Sequence, residues 1–188
     1  RHRSIEATLA YSWQLLSAVD RLTFAQCAIF PDSFTLAAAA EITGATAAQL
    51  QHLEGQMLLQ QVAPKRYTMH RLMRQYALQQ LQKMPTVEQH VRKRHCLYFV
   101  EFLKKRAECA PLNAQSFDII HAEMGDIYIG WEWAVQQGKF ALLAQILPLL
   151  VRIYALSGSH REIAALLGQT TADLKARFAE AWHTMPDL

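Results

Sequence analysis

The sequence predicts a mainly α-helical protein that contains one short β-hairpin. Apolar residues recur at helical spacing along most of the chain, and one stretch, residues 59–69, departs from that spacing. The composition agrees, because 52% of the 188 residues are hydrophobic and 19% are charged, with 7 glycines and 6 prolines. These proportions are typical of a folded, helix-rich globular protein and not of a disordered one.

Four helical segments are predicted before the hairpin, the first over Ser4–Leu16. Ser17, with an acidic residue three positions later, has the pattern of a capping box, and Thr35 and Thr46 can cap the next two helices. Gly44 suits the left-handed conformation that often ends a helix. The apolar residues at helical spacing in these segments, which we expect in the core, are Leu9, Trp13, Leu16, Val19, Leu22, Phe24, Cys27, Ala28, Leu50, Leu53, Met57 and Leu58.

A turn and the hairpin complete the first predicted domain. Residues 30–34 contain a proline and an Asp-Ser pair, which favour a turn. The two strands of the hairpin are residues 59–63 and 66–69, and a second proline lies in the turn between them. Helices followed by a two-stranded wing are the plan of a winged helix-turn-helix domain. We predict such a domain, with three to four helices, over residues 1–84.

Long helices are predicted after the hairpin. The apolar stripe Leu72–Leu81 predicts a helix, and we expect Pro85 to end it and to mark the domain boundary. In residues 86–188, two helices carry apolar residues on more than one side, as in a stacked helical array, and Pro148 is expected to kink or split the second. The helices expected in this helical-repeat (TPR-like) region run from about Val91 to Pro111, Phe117 to Gln137, Lys139 to Leu156, Arg161 to Leu167 and Thr171 to His183.

The cysteines and the longest apolar run bear on the cellular compartment. The chain has an odd number of cysteines, and their spacing does not suggest disulfide pairs, which indicates free thiols in a reducing cytoplasm. They are Cys27, Cys96 and Cys109. Polar residues and Pro148 interrupt the run Phe140–Leu156, so we expect a buried helix there and no membrane partner.

The sequence offers few candidates for catalysis or metal binding. It contains no glycine-rich phosphate loop and no nucleophile motif, so we expect no catalysis by the chain itself. His90, His95 and Cys96 form one group of potential ligands, but the five-residue step between the histidines does not align them on one helix. His121 and Glu123 form a second, smaller group. We therefore predict no metal site.

Nucleic-acid binding is the alternative function that the predicted fold suggests. The third helix of a winged helix-turn-helix, here residues 46–57, usually lies in the major groove of DNA. This helix contains no lysine or arginine, and Glu54 would repel phosphate, so it lacks the cations that supply most non-specific affinity. A DNA-binding transcription regulator with a helical dimerisation domain stays as the alternative.

Basic residues cluster elsewhere in the chain. This cluster forms either a solvated helix face or a docking surface for an acidic partner or for a neighbouring nucleotide-binding domain. Its members are Lys83, Arg92, Lys93, Arg94, Lys104, Lys105 and Arg106.

The junction between the second strand and the following helix is the most informative feature of the chain. His70 lies where Arg66–Met69 ends and an amphipathic helix begins. A helix N-terminus offers free N–H groups and a positive dipole, which suit an anion and a phosphate in particular. A histidine at such a place is also often structural, as a cap or a rim residue.

Four stretches of the chain, of which the junction is the third, resemble parts of STAND ATPases and follow one another in the same order as in that family. STAND ATPases are nucleotide-switched signalling proteins that include the NB-ARC and apoptotic-ATPase groups. Arg66–His70 resembles the wing and the Met-His-Asp motif that closes their winged-helix domain. The resemblance covers residues 1 to about 156. Its other stretches are Arg1–Ile5 with Tyr11–Ser17, then Cys27–Thr35, then Glu123–Ile127 with Trp131, Trp133 and Ala134.

The resemblance implies a regulatory part of a bacterial-type signal-transduction ATPase. His70 would reach the phosphates of bound ADP in the full-length protein and hold the off state, with Met69 packed beside it. Arg71 and Arg74 would belong to the same interdomain switch. Arg71 stands where the family has Asp, so either it turns outward to another partner or the switch works differently.

The same resemblance implies partners outside this chain. ADP or ATP with Mg²⁺ would bind a nucleotide-binding domain upstream of Arg1, and the chain, which lacks an initiator methionine, looks like a piece of a longer protein. The helical repeats would bind a protein or a small ligand as the signal. The fragment itself would hold no cofactor.

Overall fold

The computed structural model describes residues 2–108, 114–157 and 160–177. Over these residues the chain forms ten α-helices and one three-stranded antiparallel sheet, so the prediction of a mainly α protein is confirmed. The chain divides into two compact units, the first ending at Tyr98 and the second beginning at Phe99. The elements are α1 (His2–Leu15), α2 (Ala18–Cys27), β1 (Ser33–Thr35), α3 (Leu36–Thr43), α4 (Ala47–Gly55), β2 (Gln60–Ala63), β3 (Arg66–Thr68), α5 (Arg71–Gln82), α6 (Pro85–Glu108), α7 (Ala114–His121), α8 (Met124–Gln136), α9 (Phe140–Ser157) and α10 (His160–Arg177).

Helix α2 packs against α3, α4 and α5 in the first unit. The predicted caps are present, because the side chains of Ser17, Thr35 and Thr46 each accept a bond from the backbone N–H three residues later. Gly44 follows α3 with a φ of 78°, as expected for a left-handed helix exit. These local signals therefore begin α2, α3 and α4, and end α3, where the sequence indicated.

An aromatic stack joins the end of α2 to the sheet. The ring centroids of Phe30, which follows α2, and Phe34 on β1 are 4.4 Å apart, and those of Phe34 and Tyr67 on β3 are 6.2 Å apart. All three side chains are buried, and His95 of α6 lies 5.7 Å from the Phe30 ring. Each such ring pair is worth roughly 0.5–1.5 kcal/mol beyond the area that it buries.

The sheet has the strand order β1-β3-β2, with both pairs antiparallel. The predicted hairpin corresponds to β2 and β3. Strand β1, however, lies partly in the segment predicted as a turn, and this part of the prediction is wrong. Phe34 buries its ring in the aromatic stack and so draws Ser33–Thr35 against β3. Three residues are too few for the two-residue period of a strand to be visible in a sequence.

The predicted core residues of α2 are confirmed in part, because Phe24 and Cys27 are buried as expected. Val19 and Leu22 were expected in the core but are 58% and 38% exposed. The buried residues of the helix are Thr23, Phe24, Ala25 and Cys27, so its buried face excludes Val19 and Leu22.

Helix α4 ends earlier than predicted, at Gly55. Met57, expected in the core, is 82% exposed and has a φ of 58°. The N–H of Leu58 donates to the carbonyl of Leu53 at 3.0 Å, and both leucines are buried. This bond joins the sixth residue of a six-residue segment to the first and is typical of a Schellman motif at a helix end. Met57 holds the left-handed position of the motif, which is usually taken by glycine.

Pro85 begins a helix and does not end one. Helix α5 has already ended at Gln82, and Pro85 is the first residue of α6, where its fixed φ and missing N–H are favourable. The part of α6 up to Tyr98 belongs to the first unit. The division into a domain over residues 1–84 and another over 86–188 stays a prediction.

The helices of the second unit also differ in number from the prediction. The helix expected over residues 117–137 is two helices, α7 and α8, separated by a turn at Ala122-Glu123 in which Glu123 is 5% exposed. In place of the helices expected at 161–167 and 171–183, α10 continues to Arg177, because Gly168 keeps a helical backbone. The predicted ends at Pro111 and His183, and Cys109, lie outside the described residues.

Helix α9 continues through Pro148 without being split. Proline removes the bond to the carbonyl of Ala144, and both residues are exposed, so water can satisfy that carbonyl. Helix α9 packs against α8 and α10, and Phe140 and Val151 remain 54% and 43% exposed, so its burial is one-sided. Among the described residues, no helix is both long and apolar enough to cross a membrane.

Replacing Met57 by glycine should stabilise the first unit. A left-handed backbone costs a residue with a side chain about 1–2 kcal/mol, which the higher unfolded-state entropy of glycine partly offsets, so we expect a gain of about 0.5–1 kcal/mol. Gly44→Ala is the matched control, because it introduces a side chain at a left-handed residue where Met57→Gly removes one. No atom lies within 4 Å of the added Cβ, so only backbone strain is introduced. We expect a loss of about 1 kcal/mol. Urea unfolding followed by circular dichroism measures both, and equal signs for the two variants would contradict the prediction.

Candidate functional site

The junction between β3 and α5 is the candidate site. Strand β3 ends at Thr68 and α5 begins at Arg71, so Met69 and His70 are the two residues between them. Met69 is 7% exposed, whereas His70 and Arg71 are exposed. Met69 therefore anchors the junction in the first unit, and His70 lies at its surface.

His70 is the N-cap residue of α5. Its backbone has a φ of −57° and a ψ of 139°, and its Nδ1 accepts a hydrogen bond from the N–H of Leu72 at 3.3 Å. This bond satisfies one of the N–H groups that a helix start leaves without an intrahelical partner. Because Nδ1 is an acceptor, the neutral ring carries its proton on Nε2. The other nitrogen of this exposed imidazole is therefore a hydrogen-bond donor.

The start of α5 is electropositive. Its first turn contains no acidic residue that would offset the positive end of the helix dipole. The exposed Arg71 adds a full positive charge in the same turn. A neutral histidine cap contributes a hydrogen bond but no negative charge. Free N–H groups, the dipole and the Nε2–H of His70 together suit an anion.

Arg74, predicted as a switch residue, is directed against the end of α2. Its Nε donates to the carbonyl oxygens of Ala28 at 3.1 Å and Phe30 at 2.8 Å, which follow the last turn of that helix. Its backbone N–H donates to the carbonyl of His70 at 2.9 Å, so Arg74 lies one turn after the histidine. Arg74 thereby fastens the first turns of α5 to α2, and an interdomain role for it stays a prediction.

The strand before the junction is bonded to the same part of the chain. Nη1 of Arg66 donates to the carbonyl and the hydroxyl of Ser33 at 3.2 and 2.7 Å, and the Thr68 hydroxyl donates to the Asp32 carbonyl at 3.4 Å. We name residues 28–33 the α2–β1 turn. Sequence reasoning missed the contacts of this turn, because their partners are 33 to 46 residues apart and no local pattern indicates them.

The face that would read DNA carries little positive charge. Gln51 and His52 of α4 and its C-cap residue Gln56 are exposed, and Nε2 of His52 lies 3.7 Å from the carboxylate of Asp20. Lys65 is exposed in the turn of the hairpin. A single lysine is a weak source of the phosphate contacts that non-specific binding needs.

Several members of the basic cluster have partners within their own unit. Arg92 pairs with Glu88 at 2.8 Å, and a guanidinium nitrogen of Arg94 donates to the carbonyl of Glu41 on α3. Further along α6, Lys104 pairs with Glu101 at 2.9 Å, and Arg106 lies over the Phe102 ring at 5.2 Å from its centroid. Lys93 and Lys105 are exposed. A docking role for the cluster stays a prediction.

The histidines that were considered as potential metal ligands lie in different surroundings. His95 is buried beside Phe30, whereas His90 and His121 are exposed. Within the part of the chain that the structure describes, no three histidine, cysteine or acidic side chains form a group that could hold a metal ion. Cys27 and Cys96 are buried free thiols.

Comparisons of the chain with protein families, with curated proteins and with solved structures gave no match.

Cys27 and Cys96 should resist iodoacetamide in the folded protein at pH 8. Burial raises the pKa of Cys27 to about 12 and that of Cys96 to about 11, so both remain neutral thiols, which are poor nucleophiles. The unfolded thiols ionise at a lower pH, near 8.5, so the folded state should lose stability progressively as the pH rises from about 9 to about 12. Alkylation with and without urea, followed by peptide mass spectrometry, checks the first effect, and unfolding at increasing pH checks the second. Rapid native labelling of either residue would contradict this burial.

Proposed function

We propose that this chain is a regulatory part of a bacterial-type STAND signal-transduction ATPase, in which His70 contacts the phosphates of bound ADP and holds the off state. The observation that carries the proposal is the geometry of His70, whose Nδ1 caps α5 while the exposed ring offers Nε2–H at an electropositive helix start. One ring can perform both tasks, because its two nitrogens point in different directions. A nucleotide-binding domain elsewhere in the parent protein would hold ADP or ATP with Mg²⁺.

The order of elements supports a winged-helix domain over residues 1–84. Helix α2, strand β1, helices α3 and α4 and the β2–β3 hairpin follow one another as helix, strand, helix, helix and wing. The hairpin leads directly to His70, so the domain would dock on the nucleotide-binding domain through this junction. Arg71, exposed where the family has Asp, would contact that domain and not cap α5.

The helices after Pro85 support a helical-repeat sensor. Helices α8, α9 and α10 pack on one another, and Nε1 of Trp131 on α8 donates to the Thr170 hydroxyl on α10 at 2.8 Å. A protein or small ligand bound here would favour one domain arrangement, and ADP held by His70 would favour the other. The switch would then be a shift in population between two states, and each ligand would weaken the binding of the other.

Substituting His70 in the full-length protein should loosen ADP and raise basal signalling. A hydrogen bond to a charged phosphate contributes about 1.5–3 kcal/mol, so His70→Ala should weaken ADP binding roughly 10- to 100-fold. His70→Asn separates the two roles of the side chain, because its amide oxygen can still cap Leu72 N–H but it is too short to replace Nε2. We expect equal losses of ADP affinity in both variants, with a loss of stability of about 1 kcal/mol only in His70→Ala. Calorimetric titration and thermal unfolding measure the two effects.

Two outcomes would redirect the assignment. Unchanged ADP affinity in both His70 variants would remove the phosphate role. The DNA-binding alternative is tested by a gel shift of this chain with random duplex DNA at increasing salt. Tight binding that falls steeply with salt would favour a transcription regulator, since counterion release makes such binding salt-dependent.

A further inference from the structure

The α2–β1 turn receives side-chain hydrogen bonds from both sides of the His70 junction. From β3, Arg66 and Thr68 donate to two backbone carbonyls of the turn. From α5, Arg74 donates to two more. One short segment therefore fixes both the strand that enters the junction and the helix that leaves it.

The turn is buried on one side and accessible on the other. Phe30 is 1% exposed and stacks on Phe34, which fixes the turn in the core of the unit. Asp32, two residues after Phe30, is exposed. A contact at the surface of this turn can thus act on the same backbone that holds α5.

Arg74 is suited to transmit the position of the turn to His70. Its Nε–H is a charged donor shared between two carbonyls at the C-terminal end of α2, where the helix dipole is negative, so the contact is charge-assisted. The planar shape of the guanidinium restricts the directions in which these bonds can form. Because Arg74 lies one helical turn after His70, these bonds set the orientation of the first turn of α5.

We propose that Arg74 is a positioning residue for His70, and that the α2–β1 turn regulates the site by holding the histidine in one orientation. The purpose of this orientation, which is contact between the His70 ring and a phosphate, rests on the proposed function. The positioning itself concerns only this chain. A partner that displaces the turn would move the start of α5 and turn Nε2–H away from its ligand.

Arg21 provides a matched control for Arg74. Its Nε donates to the carbonyl of Leu16 at 3.0 Å and its Nη2 to that of Gln14 at 2.7 Å, at the end of α1. Arg21→Gln therefore removes the same kind of contact, a guanidinium on two helix-end carbonyls, from the same unit. It leaves the bonds between the α2–β1 turn and the junction in place.

The test measures, by NMR on this chain, the hydrogen exchange of the Leu72 amide, which is the donor to His70 Nδ1. Arg74→Gln should speed this exchange about tenfold, and Arg21→Gln should leave it unchanged. Thr68→Val, a nearly isosteric change that removes one hydroxyl donor on the β3 side, should act in the same direction by about two- to threefold. If Arg74→Gln does not fold, the exchange rate of the Leu72 amide in Thr68→Val decides whether the proposal holds. An unmoved Leu72 amide, or an equal change in Arg21→Gln, overturns the proposal.

ADP titration of the full-length protein keeps this proposal distinct from the proposed function. Faster Leu72 exchange in Arg74→Gln, together with ADP affinity that does not depend on His70, would leave the positioning role and remove the nucleotide role. ADP affinity that depends on His70, with an unmoved Leu72 amide in Arg74→Gln, would remove the positioning role alone.

Discussion

The burial of Phe30, Phe34 and Tyr67 in one stack is the constraint on which the first unit depends. Burying a large apolar side chain is worth about 1.5–3 kcal/mol, so three rings in contact outweigh most single polar contacts around them. Because Phe30 lies three residues after the end of α2, its burial makes the chain reverse there, and the burial of Phe34 then brings β1 against β3. The reversal leaves backbone carbonyls that need donors. Side chains of β3 and α5 supply them, which places the junction between β3 and α5 beside the end of α2.

The choice of cap at this junction departs from what stability alone favours. Three other helices of the unit begin with Ser17, Thr35 and Thr46, which belong to the preferred N-cap types. Helix α5 begins with His70, a less favourable cap, and its first turn has Arg71 and no carboxylate. Met57 also departs from a local rule, through its left-handed backbone, but only at His70 does the departure place a polar ring at an exposed helix start. Compared with serine or threonine, histidine adds a second polar atom, Nε2, which can donate a hydrogen bond on the side of the ring away from the cap.

Features that depend on neighbours in sequence were predictable, and features that depend on distant pairs were not. The caps, the exit at Gly44 and the hairpin follow from residues a few positions apart, and His70 was placed at a helix start for the same reason. Strand β1 and the inward direction of Arg74 arise from contacts across more than 30 residues, which leave no periodic trace. Val19 was misplaced because several helix faces can share one 3.6-residue period and only packing selects between them. The break between α7 and α8 was likewise not predictable, because the turn at Ala122-Glu123 contains no proline or glycine.

The distribution of charge in the first unit suits the proposed ligand, one small anion, better than it suits a polyanion. A protein that binds DNA through the phosphate backbone needs several cations spread along a face, since each contributes one increment of counterion release. Helix α4 has none, and Arg92 and Arg94 of α6 are engaged by Glu88 and the Glu41 carbonyl. The start of α5 concentrates its positive character at one point, where the free N–H groups and the His70 ring can satisfy a single phosphate group. In the proposed function, the geometry of this helix start therefore restricts the class of ligand more than the net charge of the chain does.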